Sequence, residues 1–287
     1  MSRIVTALTA LAVAAGTARA QCLVSSGSNE GRLLAFYTVP IVFSPATAPG
    51  FVAPGVVRIG LEGEYLPSPS AEIQRTGLCF TQKSEHTSLT KFFGRPRVTV
   101  TLPAGFSFEA SYLPPIKIAD ATPNLAGFAV SGNRHLEIFP RLGGADVMLR
   151  VNATVGNVKG PITCPSSSLQ QSSSTAPCYG TAPSNDTFHP DMGGMEIVGG
   201  ITPPGAPFSY YAGFGANRID PHFQVGFRDA TGHLDSTRVQ LRSAATRAAV
   251  LAGVTSKWQS RFDIGLQIYS VPADATTFRL QGGIRFP

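Results

Sequence analysis

The chain has 287 residues, of which 43% are apolar and 14% are charged, and its formal net charge is +6. The apolar content excludes an intrinsically disordered chain. The charged fraction is far below the usual ~25%, and 30 Gly and 23 Pro are more than expected, which together exclude a charged, helix-rich cytosolic enzyme. The length admits one large β domain or two smaller domains.

Residues 1–20 have the features of a secretory signal peptide. Arg3 precedes an apolar run over residues 4–15, and Ala18-Arg19-Ala20 has the small-x-small pattern of a cleavage site. The apolar run is shorter than the roughly 20 residues that a membrane-spanning helix needs. We therefore expect cleavage after Ala20 and export of the protein, with residues 21–287 forming a single domain.

Export favours disulfide bonds between the four cysteines, Cys22, Cys79, Cys164 and Cys178. Four cysteines admit three connectivities. Cys164 and Cys178 flank a polar, Ser-rich segment, so a bridge between them closes the base of one loop and leaves Cys22 and Cys79 as the other pair. Neither pair has the CxxC spacing of a zinc or redox site. We expect structural bridges without a catalytic role.

The recurring pattern after residue 21 is the alternation of apolar and polar residues, which is typical of strands with two different faces. It is clearest at 57–65, 106–112, 145–155, 258–270 and 278–286, and shorter stretches lie at 98–102, 195–201, 209–216, 223–228 and 237–242. Clusters of Gly, Pro and Asp between these segments indicate turns. Long loops are predicted near 67–95 and 157–192, and the Ala-rich segment 244–254 leaves a short helix as an alternative.

Such strands fit either a soluble exported β-sandwich, with apolar side chains inward, or a membrane barrel, with apolar side chains facing lipid. The best segments exceed the ~5–6 residues of globular strands and reach the roughly 9–11 that cross a bilayer. Of the 23 basic residues, 18 are Arg, which suits a confined polar interior. Aromatic residues near strand ends are candidates for interfacial girdles, namely Tyr65, Tyr112, Trp258, Phe278 and Phe286. We predict an all-β fold, an antiparallel transmembrane β-barrel of about 10–12 strands.

The C-terminal segment 278–286, FRLQGGIRF, resembles the closing strand of bacterial outer-membrane β-barrels, which alternates apolar residues up to a terminal aromatic residue. It departs from that pattern because Pro287 follows Phe286. The resemblance covers the signal peptide, the last strand and the general strand pattern, and it indicates a class rather than one family. It implies that the chain is embedded in the lipid bilayer of the bacterial outer membrane. A sandwich would instead be periplasmic or secreted.

Thirteen charged residues fall on the polar faces of the predicted strands and would line one lumen in a barrel. They are Arg58, Glu62, Glu64, Glu109, Asp146, Arg150, Arg228, Arg238, Arg242, Arg261, Asp263, Arg279 and Arg285. Eight are Arg and five are acidic, so this set carries a net charge of +3. It has two interpretations. One is a narrow, anion-preferring pore for small polar solutes, and the other is a salt-bridged network that fills a closed lumen.

The sequence thus predicts a passive narrow channel or a structural membrane protein, and not an enzyme. The alternatives are a surface adhesion or binding protein that works through its disulfide-tied loop, and a soluble extracytoplasmic binding module. The pairs His189/Asp191 and His233/Asp235 are too short to define a site, so we expect no catalytic residue, metal or cofactor. Basic residues do not alternate with aromatic residues along a groove, so no nucleic-acid binding is expected. The sequence leaves the oligomeric state open.

Overall fold

The computed structural model describes residues 21–74, 91–118, 120–138, 140–174, 178–226, 240–258 and 261–287. Its strands are β1 (Gln21–Leu23), β2 (Val57–Tyr65), β3 (Phe92–Thr101), β4 (Phe106–Leu113), β5 (Thr122–Leu136), β6 (Ala145–Gly160), β7 (Asp186–His189), β8 (Met192–Ile201), β9 (Phe208–Ile219), β10 (His222–Gln224), β11 (Gln240–Arg242), β12 (Ala245–Trp258), β13 (Phe262–Val271) and β14 (Ala275–Phe286). The helices are α1 (Asn29–Thr38) and α2 (Ala71–Gln74). Among the described residues, no helix has the length and apolar character needed to cross a membrane.

Ten of these strands, β2–β6, β8, β9 and β12–β14, form a closed antiparallel barrel. The ring closes because β6 pairs with β8 and β14 pairs with β2. Closure leaves no free sheet edge around the barrel wall. The predicted barrel is confirmed, with a strand number at the lower end of the expected range, and the sandwich alternative is wrong.

Apolar side chains point outward from the barrel wall. In β13, Ile264 and Leu266 are 51% and 58% exposed on the outer face, whereas Asp263 and Gln267 on the inner face are buried. Aromatic side chains mark both ends of the outer face, with Phe106, Phe208, Phe262 and Phe286 at one end and Tyr65, Phe92, Tyr112 and Phe278 at the other. Phe278 and Phe286 lie about 27 Å apart along β14, which at a strand tilt of ~40° spans roughly 20 Å of the ~25 Å lipid-facing band. The side chain of Trp258, also a predicted girdle residue, lies outside the described part.

The two ends of the barrel differ in the length of their connections. At what we call the turn end, residues 102–105, 137–144, 202–207 and 259–261 join consecutive barrel strands, and β2 begins and β14 ends there. At the opposite end, the loop end, three connections are much longer, namely 66–91, 161–191 and 220–244. The connection 114–121 and the tight turn between β13 and β14 are as short as those of the turn end.

A small sheet continues the wall beyond the loop end, and we call it the cap. Its strand β7 pairs with the last residues of β6, β10 pairs with β7, β11 pairs with β10, and β1 pairs with β11 in parallel. One face of the cap contributes Phe188, Phe223 and Leu241 to an apolar cluster that also contains Leu33 and Leu34 of α1. The cap and α1 therefore share one hydrophobic core above the barrel.

The chain enters the barrel from the loop end. The side chain of Ser28 caps α1 by accepting a hydrogen bond from the Gly31 backbone N–H, and the helix ends in a 3-10 turn at Val39–Ile41. The next residues run through the lumen to the turn end, where the Ala48 backbone N–H donates to Thr255 Oγ1 at 3.1 Å. We call residues 39–49 the plug. Nearly all of them are buried.

Several predicted boundaries differ from the structure. β3 begins at Phe92, inside the predicted loop 67–95, while residues 75–90 lie outside the described part. The predicted loop 157–192 contains the end of β6 and all of β7, whose four residues are too few to show alternation. Segment 244–254 is not a helix but forms most of β12, because its inward alanines, such as Ala249, leave space for neighbouring interior groups. Residues 1–20 lie outside the described part, so the signal peptide remains a prediction.

Candidate functional site in the barrel lumen

Charged side chains from six strands meet halfway along the lumen in a cluster that we call the charged belt. It consists of Arg95, Arg97, Arg150, Arg279, Glu62, Glu64, Glu109 and Glu196, all buried. The strand register explains the cluster, because it places opposite charges directly across from one another. Glu62 lies opposite Arg95, Glu64 opposite Arg279, and Arg150 opposite Glu196. Such pairs stabilise adjacent strands.

The eight groups form one continuous chain of ion pairs. The shortest N–O separations are 3.2 Å for Arg150–Glu196, 3.2 Å for Arg150–Glu109, 2.5 Å for Arg97–Glu109, 2.5 Å for Arg97–Glu62, 2.6 Å for Arg95–Glu62 and 3.3 Å for Arg279–Glu64, with Arg279–Glu62 at 3.9 Å. With four positive and four negative groups, the belt has a formal charge of zero. Charges withdrawn from water require such pairing, since an isolated buried charge is strongly unfavourable.

The arginines of the belt also bind the backbone of the plug. Arg95 donates to the Ile41 and Val42 carbonyls at 2.9 and 2.7 Å, Arg97 to that of Ser44 at 2.6 Å, Arg279 to those of Val42 and Val39 at 2.8 and 3.3 Å, and Arg150 to that of Phe43. The plug is not a strand of the barrel sheet, so its carbonyls need other donors. The guanidinium groups supply those donors.

The ring of Phe43 lies at the centre of the belt and is fully buried. The guanidinium carbons of Arg97, Arg95 and Arg150 lie 4.2, 4.9 and 5.2 Å from the ring centroid. Such stacking on a desolvated ring is favourable. The opposite wall comes close at Gly127, where an added Cβ would lie 3.3 Å from the ring. Plug and belt together occupy the lumen at this level.

A second ionic cluster lies nearer the turn end. Arg58 Nη2 lies 2.6 Å from Asp263 Oδ1, and Arg285 Nε lies 3.2 Å from Asp263 Oδ2. At the same end, the Asp146 carboxylate contacts His135 Nδ1 at 2.9 Å. A cavity of about 90 Å³ lies there between the wall and plug residues that include Pro45.

Of the thirteen predicted lumen residues, the structure places Arg58, Glu62, Glu64, Glu109, Asp146, Arg150, Asp263, Arg279 and Arg285 within the barrel or at its turn end. Arg228 and Arg238 lie outside the described residues. Two placements differ from the prediction. Arg242 lies in cap strand β11, and Arg261 is exposed in the turn between β12 and β13. Alternation predicts whether a side chain faces the lumen only for residues that lie inside a barrel strand. Because Arg242 and Arg261 do not, the predicted net charge of +3 does not describe this lumen.

Arg242 instead forms an ion pair on the cap. Its guanidinium group donates two hydrogen bonds to the Asp220 carboxylate, one of them from Nε at 2.8 Å. These hydrogen bonds hold the pKa of Asp220 below its usual range. The pair joins strand β11 to the chain segment that follows β9.

The sequence prediction missed three belt residues and the whole plug. Arg95 and Arg97 lie in β3, where Pro96 stands at an outward position and obscures the alternation. Glu196 lies between Met195 and Ile197, inside a segment that the sequence predicts as a strand. A single charge between two apolar residues of a strand indicates an inward position, so this residue could have been predicted. The plug has no charged side chain. Its polar contacts come mostly from backbone carbonyls, together with the Ser44 hydroxyl, which accepts from Arg279 at 2.6 Å and donates to Gln267 at 2.6 Å.

The predicted Cys164–Cys178 disulfide is confirmed. The bridge lies at the loop end, and residues 165–174 are the described part of the segment that it closes. The Asp186 carboxylate accepts hydrogen bonds from the Thr163 N–H at 2.6 Å, the Ser184 hydroxyl at 2.8 Å and the Gly226 N–H at 2.9 Å. Cys79 and the side chain of Cys22 lie outside the described part, so their pairing remains a prediction.

The cap also contains the histidine of one predicted His/Asp pair. His189 lies in β7 directly opposite His222 of β10. Within the described ranges, no three His, Cys, Asp or Glu side chains are arranged to hold a metal ion. His233 and Asp235 lie outside those ranges.

A closed barrel with an even number of strands, a lipid-facing apolar band between aromatic girdles, and a polar interior defines an outer-membrane β-barrel protein. The protein is therefore embedded in the bilayer of the bacterial outer membrane, as the C-terminal strand predicted.

Solved outer-membrane barrels resemble the chain in fold. Ail, the attachment invasion locus protein of Yersinia pestis, is 12% identical over 82% of this chain and 100% of its own, with a TM-score of 0.29. The N-terminal β-barrel domain of Pseudomonas aeruginosa OprF is 11% identical over 81% of this chain and 98% of its own, with a TM-score of 0.27. The translocator domain of the autotransporter NalP from Neisseria meningitidis is 7% identical over 81% of this chain and 87% of its own, with a TM-score of 0.41. No family model and no curated protein matches the chain.

Proposed function

We propose that the protein is a barrel with a closed lumen, which holds the ordered cap at the bacterial surface and acts through the cap rather than by conducting solutes. The observation that carries this proposal is the binding of the plug backbone by the arginines of the charged belt. A lumen filled in this way serves as an anchor.

The orientation follows from the lengths of the connections. In outer-membrane barrels the short turns face the periplasm and the longer loops face outward. The turn end of this barrel then faces the periplasm. The cap, which includes β1, and residues 165–174 of the disulfide-closed segment then lie at the outer surface.

A passive channel is less well supported by the contacts in the lumen. A solute that passes the belt must displace Phe43 and break the hydrogen bonds between the arginines and the plug carbonyls. The belt is formally neutral, so it also lacks the excess positive charge of an anion-preferring pore.

Conductance in planar bilayers tests the closed lumen. We expect the full chain to insert without steady conductance, and we expect a variant that lacks residues 24–49 to conduct with weak ion selectivity, because the exposed wall has balanced charges. Heat-dependent mobility in SDS gels shows that both proteins are folded barrels. Steady anion-selective conductance by the full chain would instead establish the passive channel.

The disulfide-closed segment favours adhesion as the specific role of the cap. Residues 165–174 are largely exposed, while their base is fixed by the Cys164–Cys178 bridge and by the hydrogen bonds to Asp186. We expect deletion of residues 166–174 to preserve the barrel and to remove adhesion of expressing cells to epithelial monolayers. Unchanged adhesion after this deletion would contradict the role of the segment.

A further inference from the structure

A second feature of the barrel is an apolar cavity of about 120 Å³ at the loop end, between the plug and the inner wall. Tyr37 and Ile41 line it from the side of α1 and the plug, and Leu66, Leu113, Val158 and Phe188 line it from the wall and cap. Its charged lining residues are Glu64, which is buried and paired with Arg279, and Lys91, which is exposed. The cavity is thus an apolar chamber with a cation at its edge.

The cavity lies beside the lipid-facing surface. Phe92, at its edge, is 69% exposed on the outer face of β3 and belongs to the aromatic girdle of the loop end. A groove of about 730 Å³ on the outer wall, over Gly63, shares Glu64, Phe92 and Phe93 with the cavity. The groove on the outer wall and the cavity on the inner side therefore border the same edge of the wall, at Phe92.

We propose that this cavity binds the alkyl chain of a fatty acid from the membrane, with the carboxylate near Lys91. Apolar cavities of roughly this size stay dry and take up small apolar groups. The volume admits the end of one chain, which favours a single-chain amphiphile over a two-chain phospholipid. The cation at the edge complements an anionic head group. This inference rests on the position of the plug in the lumen, because Ile41 lines the cavity, but not on the adhesive role of the cap.

Equilibrium binding of isotope-labelled decanoate to the full chain, held in amphipol without lipid, tests the site. Leu113→Trp fills the cavity, and Leu149→Trp is the matched control because Leu149 is 51% exposed on the lipid face of β6. Val158→Phe is a second filling variant, in case Leu113→Trp does not fold. Heat-dependent gel mobility confirms that each variant is a folded barrel.

We expect saturable binding that the filling variants weaken by about tenfold or more, as exclusion of two or three methylene groups requires, and that Leu149→Trp leaves unchanged. Lys91→Gln is expected to weaken binding of decanoate but not of decanol. Equal affinity of the wild type and a folded filling variant, or equal loss in the Leu149→Trp control, would overturn the site. Equal effects of Lys91→Gln on decanoate and decanol would overturn the role of Lys91.

Discussion

Arg150 joins three elements of the lumen, because its guanidinium group contacts Glu109, Glu196 and the Phe43 carbonyl. Replacing it by Gln leaves the buried Glu196 carboxylate without its charged partner and leaves Glu109 paired with Arg97 alone. Breaking a buried ion pair costs about 3–5 kcal/mol. We expect Arg150→Gln to lower the free energy of unfolding of the barrel by about 3 kcal/mol.

The matched control is Arg261→Gln, since Arg261 is exposed in a turn. We expect Arg261→Gln to change the free energy of unfolding by no more than about 0.5 kcal/mol. Chemical denaturation in lipid vesicles measures both variants. Equal stability of the two would contradict the structural role of the belt.

Titration of Asp220 is expected to make the stability of the cap depend on pH. Its pKa in the folded state is lowered by hydrogen bonds from Arg242, below the unfolded value of about 3.9. The stabilisation from this pair is therefore fully present above about pH 4 and is lost as the pH falls through the lower folded pKa. An NMR titration of the Asp220 carboxylate measures the midpoint, which we expect to rise in Arg242→Gln. An unchanged midpoint in that variant would contradict the assigned cause.

Alternation in the sequence was sufficient to locate most of the inward charged residues. It placed Glu62, Glu109 and Arg150 correctly because these residues lie well inside long strands, where successive side chains point to opposite faces. It failed for Arg261 and Arg242, which lie in a turn and in a cap strand. Whether a particular strand belongs to the barrel or to the cap depends on which other strand it pairs with, and that information is not local in sequence.

At the scale of elements, the fit between β5 and the plug gives a second prediction. Gly127 of β5 faces Phe43 so closely that a valine would force the ring to move. Gly63 of β2 faces outward, and an added Cβ there meets no atom within 4 Å. We expect Gly127→Val to loosen the plug and to produce intermittent conductance in planar bilayers, and Gly63→Val to behave like the wild type. Absence of conductance through a folded Gly127→Val barrel would contradict the close packing of β5 against the plug.

Close packing inside the molecule also explains why the sequence pattern did not predict β5 and α1. The inward positions of β5 include Leu125, Gly127 and Ala129, which are apolar or small because they face the plug. Polar inward residues, such as Ser131, occur only in the part of β5 near the turn end, so most of the strand shows no alternation. Helix α1 contacts the cap on one side and the lumen on the other, so most of its surface is buried and its sequence lacks a polar face.

The Cys164–Cys178 disulfide can be tested separately from the barrel. Closing a loop of about 15 residues stabilises a fold by about 3 kcal/mol. We expect the double variant Cys164→Ser and Cys178→Ser to make segment 165–174 sensitive to protease on intact cells, while heat-dependent gel mobility of the barrel persists. Reduced wild-type protein should give the same cleavage pattern. Unchanged protease resistance of the double variant would show that the bridge does not order this segment.

At the scale of the whole molecule, the two ends of the described chain lie at opposite ends of the barrel. β1 belongs to the cap at the loop end, whereas β14 finishes at the turn end. The chain passes through the lumen once before it begins to build the wall. The composition and the strand pattern predicted the barrel and its location in a membrane, but not this path. The belt binds the plug mostly through backbone carbonyls, which any sequence possesses.

The path of the plug is the central claim, and thiol labelling of single-cysteine substitutions tests it most directly. Ser44→Cys places a thiol at a fully buried position in the plug, and Leu23→Cys places one in β1, where the side chain is 75% exposed. With a membrane-impermeant maleimide, we expect labelling of Leu23→Cys on intact cells. We expect labelling of Ser44→Cys only after the barrel is unfolded by boiling in SDS. Rapid labelling of Ser44→Cys in the folded barrel, or protection of Leu23→Cys on intact cells, would contradict a lumen closed by a segment that enters from the surface.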